Sequence, residues 1–267
     1  MGWFDVHAHL TDPRLAAQED AILARAGEAG VTTIISNGLN PKDNIRVSEL
    51  AERSPLVRPA FGLYPVDAVL TEMVEMGIDY PRDEPPVLAE DAISWLAEHV
   101  DECFAVGEIG LDHYWVPQEL WGRQEEIFRQ LVSVAMEADK AIIIHTRKAE
   151  RRAFEILVEM GATRVNWHCY SSKIKFGKRI AEHGHYLSIP ANVHRADNFR
   201  RLLEILPRDR VLLETDCPYL SPNPGTANEP GNVLVTAKFA AQLWGCELSD
   251  VSDQLTANFE RLFGSAP

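Results

Sequence analysis

Cysteine is scarce in this chain. There are four in 267 residues (Cys103, Cys169, Cys217 and Cys246), widely spaced and without a CxxC pair. That excludes a disulfide-dense scaffold and makes a reduced, cytoplasmic protein the simplest expectation. No apolar run approaches the roughly 20 residues that span a bilayer, so no membrane partner is expected. The first residues lack a basic region followed by an apolar stretch, so no secretory signal is expected. Positive charge is also short, with 26 Lys and Arg against 40 Asp and Glu, a net charge of −14. Proteins that live on nucleic acid usually carry a basic footprint. Its absence argues against a tight, non-specific DNA binder, while a local patch or bound metal ions can still serve a polyanion. Neither GxSxG nor a phosphate-loop pattern occurs. Low-complexity segments are absent, and nothing in the sequence demands an obligate protein partner.

What is present is ordinary globular material, 46% hydrophobic and 25% charged. The length suits one large α/β barrel or two smaller domains. Short apolar runs alternate with longer amphipathic stretches. Strands are predicted at Trp3–His7, Val31–Asn37, Val57–Gly62, Phe104–Ile109, Ala141–His145, Arg164–His168, Tyr186–Pro190 and Val211–Thr215. Helical patterns lie between them. Asp12-Pro13 and Asn40-Pro41 each start one, with Pro at the first turn. Others are read at Pro117–Asp139, Lys148–Met160, Lys173–His183, Arg195–Leu206, Val233–Trp244 and Leu248–Phe263. Eight strands separated by helices imply a parallel sheet, and at this length a single (β/α)8 TIM barrel over residues 1–267. Two stretches break the rhythm: Val66–Pro86, ending in Asp83-Glu84-Pro85-Pro86, and Ser221–Asn232. Both follow strands, so both belong to the C-terminal face, where barrel active sites lie.

The stretch FDVHAHL places His7 and His9 on one side of the first strand's end. Polar donors recur at the ends of other predicted strands. Glu108 and Asp112 occur in VGEIGLDHYW, His145 in IIIHTR, His168 in VNWHCY and Asp216 in LLETDCPYL. Taken singly, each has a bland explanation. The histidines can be hydrogen-bonded strand-end residues, Glu108 the partner of a buried cation, and Asp216 a turn cap. Together, in a barrel, they converge on one axis. Four histidines and two carboxylates suit two divalent ions sharing a bridging carboxylate. Such ions lower the pKa of a water molecule and polarise the oxygen of the bond under attack, while a nearby carboxylate takes the proton. His99, His113, His183, His185 and His194 lack such support, and His99 and His183 fall in helical patterns. Cys169 and Cys217 follow His168 and Asp216 directly. Strand alternation turns each away from its neighbour's face, so both are expected in apolar packing.

At these residues the sequence resembles the TatD family of metal-dependent hydrolases, of the amidohydrolase-like group. The matching pieces are FDVHAHL, FGLYPVD, VGEIGLDHYW, IIIHTR, NWHCYS and LLETDCPYL, followed by Asn228-Glu229-Pro230 and Thr256-Ala257-Asn258-Phe259. They run in family order over nearly the whole chain. The resemblance implies one ion held by His7, His9, Glu108 and Asp216, and another by Glu108, His145 and His168, with Glu108 bridging. Asp216 would also act as the general base. The implied ions are Zn²⁺, Mn²⁺ or Mg²⁺, with imidazole favouring the first two. The implied activity is a deoxyribonuclease, cleaving DNA phosphodiester bonds from the 3′ end, with nucleic acid as the partner.

The departures from the family pattern cluster where a polyanion would be gripped. Tyr64 stands in place of a histidine before Pro65, and it cannot carry imidazolium charge. Lys148 follows Arg147 where Asp is common, Ser171-Ser172 replaces a glycine-containing turn, and Ala227 stands where arginine is usual. Substrate contacts are expected from Tyr64, Arg147, Lys148, Asn228 and Glu229, with Arg151 and Arg152 extending a basic patch. Two rivals follow from the same residues. One is a metal-dependent hydrolase of an amide, ester, lactone or aminoacyl-tRNA. The other is a non-enzymatic metal-binding protein.

Overall fold

The computed structural model describes residues 2–82 and 85–264. Asp83 and Glu84, from the first irregular stretch, lie outside the described residues. Among those described, eight strands pair in chain order, each parallel to the next: β1 (Trp3–Ala8), β2 (Val31–Asn37), β3 (Val57–Phe61), β4 (Ala105–Asp112), β5 (Ala141–Arg147), β6 (Val165–Trp167), β7 (Tyr186–Ile189) and β8 (Val211–Leu213). Helices separate them, as the alternating pattern predicts, giving a nearly closed TIM barrel. The seam between β8 and β1 is drawn together just beyond the short β8. Asp216 N donates to His7 O at 2.9 Å, and His9 N donates to Cys217 O at 2.8 Å. Beneath these bonds Asp5, fully buried in β1, accepts from Thr215 N at 2.8 Å and also from the Thr215 hydroxyl.

Eleven α-helical segments follow the strands among the described residues: α1 (Pro13–Ala16), α2 (Glu19–Glu28), α3 (Pro41–Arg53), α4 (Leu70–Glu75), α5 (Ala89–His99), α6 (Trp121–Glu137), α7 (Glu150–Met160), α8 (Ile174–Glu182), α9 (Asp197–Ile205), α10 (Val233–Trp244) and α11 (Leu248–Phe263). The Pro-initiated starts have their caps: the Asp12 carboxylate accepts from Arg14 N, and the Asn40 side chain accepts from Asp43 N. The helix expected from Pro13 breaks after Ala16 and restarts at Glu19. α4 and α5 lie in the long β3–β4 connection, which the sequence pattern left without helices. α5 buries Ala89, Ala92 and Leu96, a helical spacing carried mainly by small alanines.

The barrel is filled from below. Val6, Ile35, Ala60, Ala105, Ala141, Ile143, Tyr186 and Leu212 come from seven strands and form one cluster with Phe259, Leu262 and Phe263 of α11. Phe4, at the start of β1, stacks on Phe259 with centroids 4.3 Å apart, and Phe104, just before β4, stacks on Phe263 at 5.8 Å. The last helix therefore closes the N-terminal mouth. A larger apolar cluster packs the strands against the surrounding helices. The opposite mouth is left for polar residues. No helix among the described residues is long and apolar enough to cross a membrane.

Candidate metal centre

His7, His9, Glu108, His145, His168 and Asp216 come from five separate strands or their exits and meet at the C-terminal mouth. Glu108 stands between two pairs of histidines. Its Oε2 lies 3.6 Å from His7 Nε2 and 3.4 Å from His9 Nε2. Its Oε1 lies 2.8 Å from His145 Nδ1 and 3.2 Å from His168 Nε2. Asp216 Oδ1 completes the first group, 3.8 Å from His7 Nε2 and 3.5 Å from His9 Nε2.

The spacings around His7, His9, Glu108 Oε2 and Asp216 are close to those of metal ligation, while the 2.8 Å between Glu108 Oε1 and His145 Nδ1 is a hydrogen-bond distance. Ligands at about 2.0–2.2 Å from a tetrahedral ion stand about 3.3–3.6 Å from one another. The His7 and His9 Nε2 atoms are 3.2 Å apart, and their carboxylate neighbours follow at the distances above. His7, His9 and Asp216 form one compact donor group, and His7, Glu108 and His168 another. Two of the outer ring nitrogens are held from behind, while His7 Nδ1 and His168 Nδ1 are buried without a hydrogen-bond partner among the described residues. His9 Nδ1 meets Asn37 O at 3.2 Å and His145 Nε2 meets Asp112 Oδ2 at 3.3 Å, which leaves His9 Nε2 and His145 Nδ1 as the donors facing the centre. Glu214 Oε2 lies 3.7 Å from His168 Nδ1. That carboxylate is fixed by Cys169 N at 2.8 Å and Ser188 Oγ at 2.5 Å.

The electrostatics also call for cations. Burial would raise the Glu108 carboxyl, but His168, His145 and His7 hold it well below the ordinary carboxylate range. Asp216 is likewise held down against burial by His9, with His168 and His7 helping. Burial, with His168 beside it, pushes His7 down to about 3. Burial opposes charge on His9 too, yet Asp216 and Glu108 lift it to about 9. Two ionised carboxylates in a buried space thus draw positive charge, and a divalent ion satisfies the same field.

The backbone gives way to place these groups. Asp216 and Cys169 leave their strands with φ of 55° and 45°, a region costly for residues other than glycine. A Cβ on Gly62 would sit 2.3 Å from Glu108 N, so only glycine lets β3 pass this close behind Glu108.

A family model for TatD related DNases matches residues 4–264 of the chain. The chain belongs to the TatD family. A metal-dependent hydrolase of Bacillus subtilis, YabD, described as uncharacterized, is 30% identical over 97% of this chain and 98% of its own. The human deoxyribonuclease TATDN3 is 27% identical over 98% of this chain and 95% of its own. The crystal structure of YJJV, a TatD homologue from Escherichia coli, superposes with a TM-score of 0.83 at 25% identity, covering 98% and 97% of the two chains. As a TatD protein, this chain is a metal-dependent hydrolase.

Above the TatD centre opens a cleft of about 1300 Å³. Of the five residues expected to contact substrate, Tyr64 and Arg147 line it. Tyr64 lies edge-on to His145, with centroids 5.0 Å apart, and the Arg147 guanidinium covers the exposed Tyr114 ring at 3.9 Å. Lys148, Asn228 and Glu229 do not line it. Lys148 is exposed, and its backbone N–H binds Glu150 at the start of α7. Asn228 is fully buried and braces the loop behind Asp216, donating to Thr215 O at 2.7 Å. Glu229 forms a two-bond pair with Arg25 of α2. The basic patch after β5 also disperses: helical rotation carries Arg152 to Glu125 and Arg151 over Phe176. In their place Arg14 of α1, Arg46 of α3 and Arg82 of the β3–β4 connection reach the cleft. Cys217 is buried in the apolar cluster as expected, but Cys169 lines the cleft, because its left-handed turn redirects it. His185 is a core residue, bonded to Trp167 and Ala162.

Asp5 and Glu214 escaped the strand-end pattern, and Asp112, seen in it, was given no role. Each is a fully buried carboxylate within or beside an apolar strand. That is itself a signal, since a buried acid needs partners.

Proposed function

We propose that this TatD protein hydrolyses phosphodiester bonds in DNA with two divalent ions, removing nucleotides from a 3′ end. The observation that carries the reading is the division of Glu108, one oxygen toward His7 and His9 and the other toward His145 and His168. That arrangement suits a carboxylate bridging two ions. Such a pair activates water and clamps the attacking and leaving oxygens of a phosphoryl displacement. Asp216 would accept the proton of the attacking water at its carboxylate, held over the centre beside His9. The arginines around the cleft support a polyanionic substrate despite the net charge of −14. The name of human TATDN3 supports DNA in particular.

The test is a single-stranded oligonucleotide labelled at its 5′ end, incubated with Mn²⁺, Mg²⁺ or Zn²⁺. A ladder shortening from the 3′ end is expected, stopped by chelator and abolished in Asp216→Asn. If no metal supports cleavage while a panel of esters and amides is hydrolysed, the phosphodiester reading falls and the ester or amide reading replaces it.

A further inference from the structure

The long β3–β4 connection returns Tyr80 and Arg82 to the cleft, where the Arg82 guanidinium is set beside Tyr64. Its Cζ lies 5.0 Å from the centre of the Tyr64 ring and 5.1 Å from that of Tyr80. Its Nε donates to Asp67 Oδ1 at 2.7 Å, and Asp67 is 6% exposed. Among the described residues this is the guanidinium's one hydrogen-bonded partner. Arg14, by contrast, spends Nε and Nη2 on Asp12. Toward the described residues both terminal nitrogens are unspent and face the cleft, on a side chain that is three-quarters buried and held by a carboxylate and two rings. Tyr64 in turn is in contact with His145. The cation thus stands one aromatic ring away from the candidate metal centre.

We propose that Arg82 forms an anion subsite with Tyr64 and Tyr80, binding a non-bridging phosphate oxygen of the substrate next to the bond that is cut. The assignment deepens the phosphodiester reading and rests on it. A planar guanidinium offers two parallel N–H donors to a phosphate, and holding it in place beforehand reduces the entropy lost on binding. Tyr64 brings no charge to this wall. Arg82, arriving from a different segment, supplies it. The Asp67 carboxylate orients the fork through Nε, and Arg82 is thereby a specificity residue rather than one that touches the attacking water.

Removing Arg82 alone would leave Asp67 buried and unpaired, so the charge is best removed in the paired variant Arg82→Gln/Asp67→Asn, which keeps a hydrogen-bonding pair in place. Two measurements are made on the metal-loaded protein. One is the affinity for inorganic phosphate by calorimetry, and the other is KM and kcat on the oligonucleotide. A charge-assisted contact of this kind accounts for about ten- to a hundredfold in affinity. The paired variant should lose that factor in phosphate affinity and in KM, with kcat within about threefold and metal content unchanged. Arg82→Lys should recover part of the loss. Unchanged phosphate affinity and KM in the paired variant, or no phosphate binding by the wild-type protein, would overturn the subsite. If the wild-type protein cleaves no oligonucleotide but the phosphate difference stands, the subsite survives and the DNase reading fails.

Discussion

Glu108 is the residue on which the centre turns. A histidine that would hold one cation could be lost and leave a weakened site, but among the described residues Glu108 is the one carboxylate set against all four histidines. Glu108→Ala should therefore lower the metal content from close to two ions per chain to one or none, measured by elemental analysis after dialysis. Glu214→Gln should act more mildly, because Glu214 faces His168 from behind. An outer carboxylate of this kind typically accounts for 10–100-fold in metal affinity. A Glu108→Ala protein that still retains two ions would remove the bridging role. The six residues that meet at the mouth were legible in the sequence because each polar residue ends an apolar run, and such a gathering at strand ends points to a metal or catalytic centre. Glu214 was harder to see. It sits in the same LLETDCPYL stretch as Asp216, and its partners are distant in sequence, Ser188 on β7 and Cys169 in the turn after β6. Asn228 and Glu229 show the reverse error: a motif residue can serve the loop that carries the site without facing the site.

At the scale of elements, strand order and parallel pairing followed from the alternation of apolar runs and helical patterns. The ends of strands did not. β6 and β8 are short because the chain leaves the sheet to present His168 and Asp216, while β4 and β5 run on to Asp112 and Arg147. Hydrophobic pattern cannot register that difference, since it is set by pairing with a neighbouring strand. Of the cleft's arginines only Arg147 was legible; Arg14, Arg46 and Arg82 escaped for a related reason, since they sit in three separate segments and share no local motif. The close passage of β3 behind β4 gives a sharp test. An added methyl at Gly62 would press on the backbone N and O of Glu108, at 2.3 and 2.5 Å, with no flexible side chain to yield. Overpacking of this kind costs about 1–3 kcal/mol. Gly62→Ala should show that loss by chemical denaturation, and also weaker metal binding, because relief requires moving Glu108. Gly161→Ala, in open space at the end of α7, should destabilise through its φ of 74° and leave metal binding untouched. Equal metal affinity in Gly62→Ala and wild type would show that β4 absorbs the methyl without shifting the carboxylate.

The whole molecule divides stability and chemistry between its two ends. The C-terminal mouth holds buried carboxylates, imidazoles and left-handed turns, all of which cost free energy in the absence of cations. The N-terminal mouth is closed by α11, where Phe259 and Phe263 stack on Phe4 and Phe104 over a layer that includes Ala60, Ala105 and Ala141. Small side chains in three strands leave the room that the aromatic rings fill, so the helix acts as a plug in a barrel too narrow for bulky residues from every strand. Phe259 is fully buried there. Truncating a buried aromatic costs about 3–5 kcal/mol, through lost transfer energy and the cavity left behind. Phe259→Ala should therefore shift the denaturation midpoint strongly, and added Mn²⁺ or Zn²⁺ should restore part of the stability by binding the folded state. At a temperature where both proteins are folded, metal content, KM and kcat should match wild type, because the rigid strands carry no change across the barrel. If the variant is folded but loses metal or activity, the two ends are coupled through the strands, and the centre depends on the plug for its geometry as well as its stability.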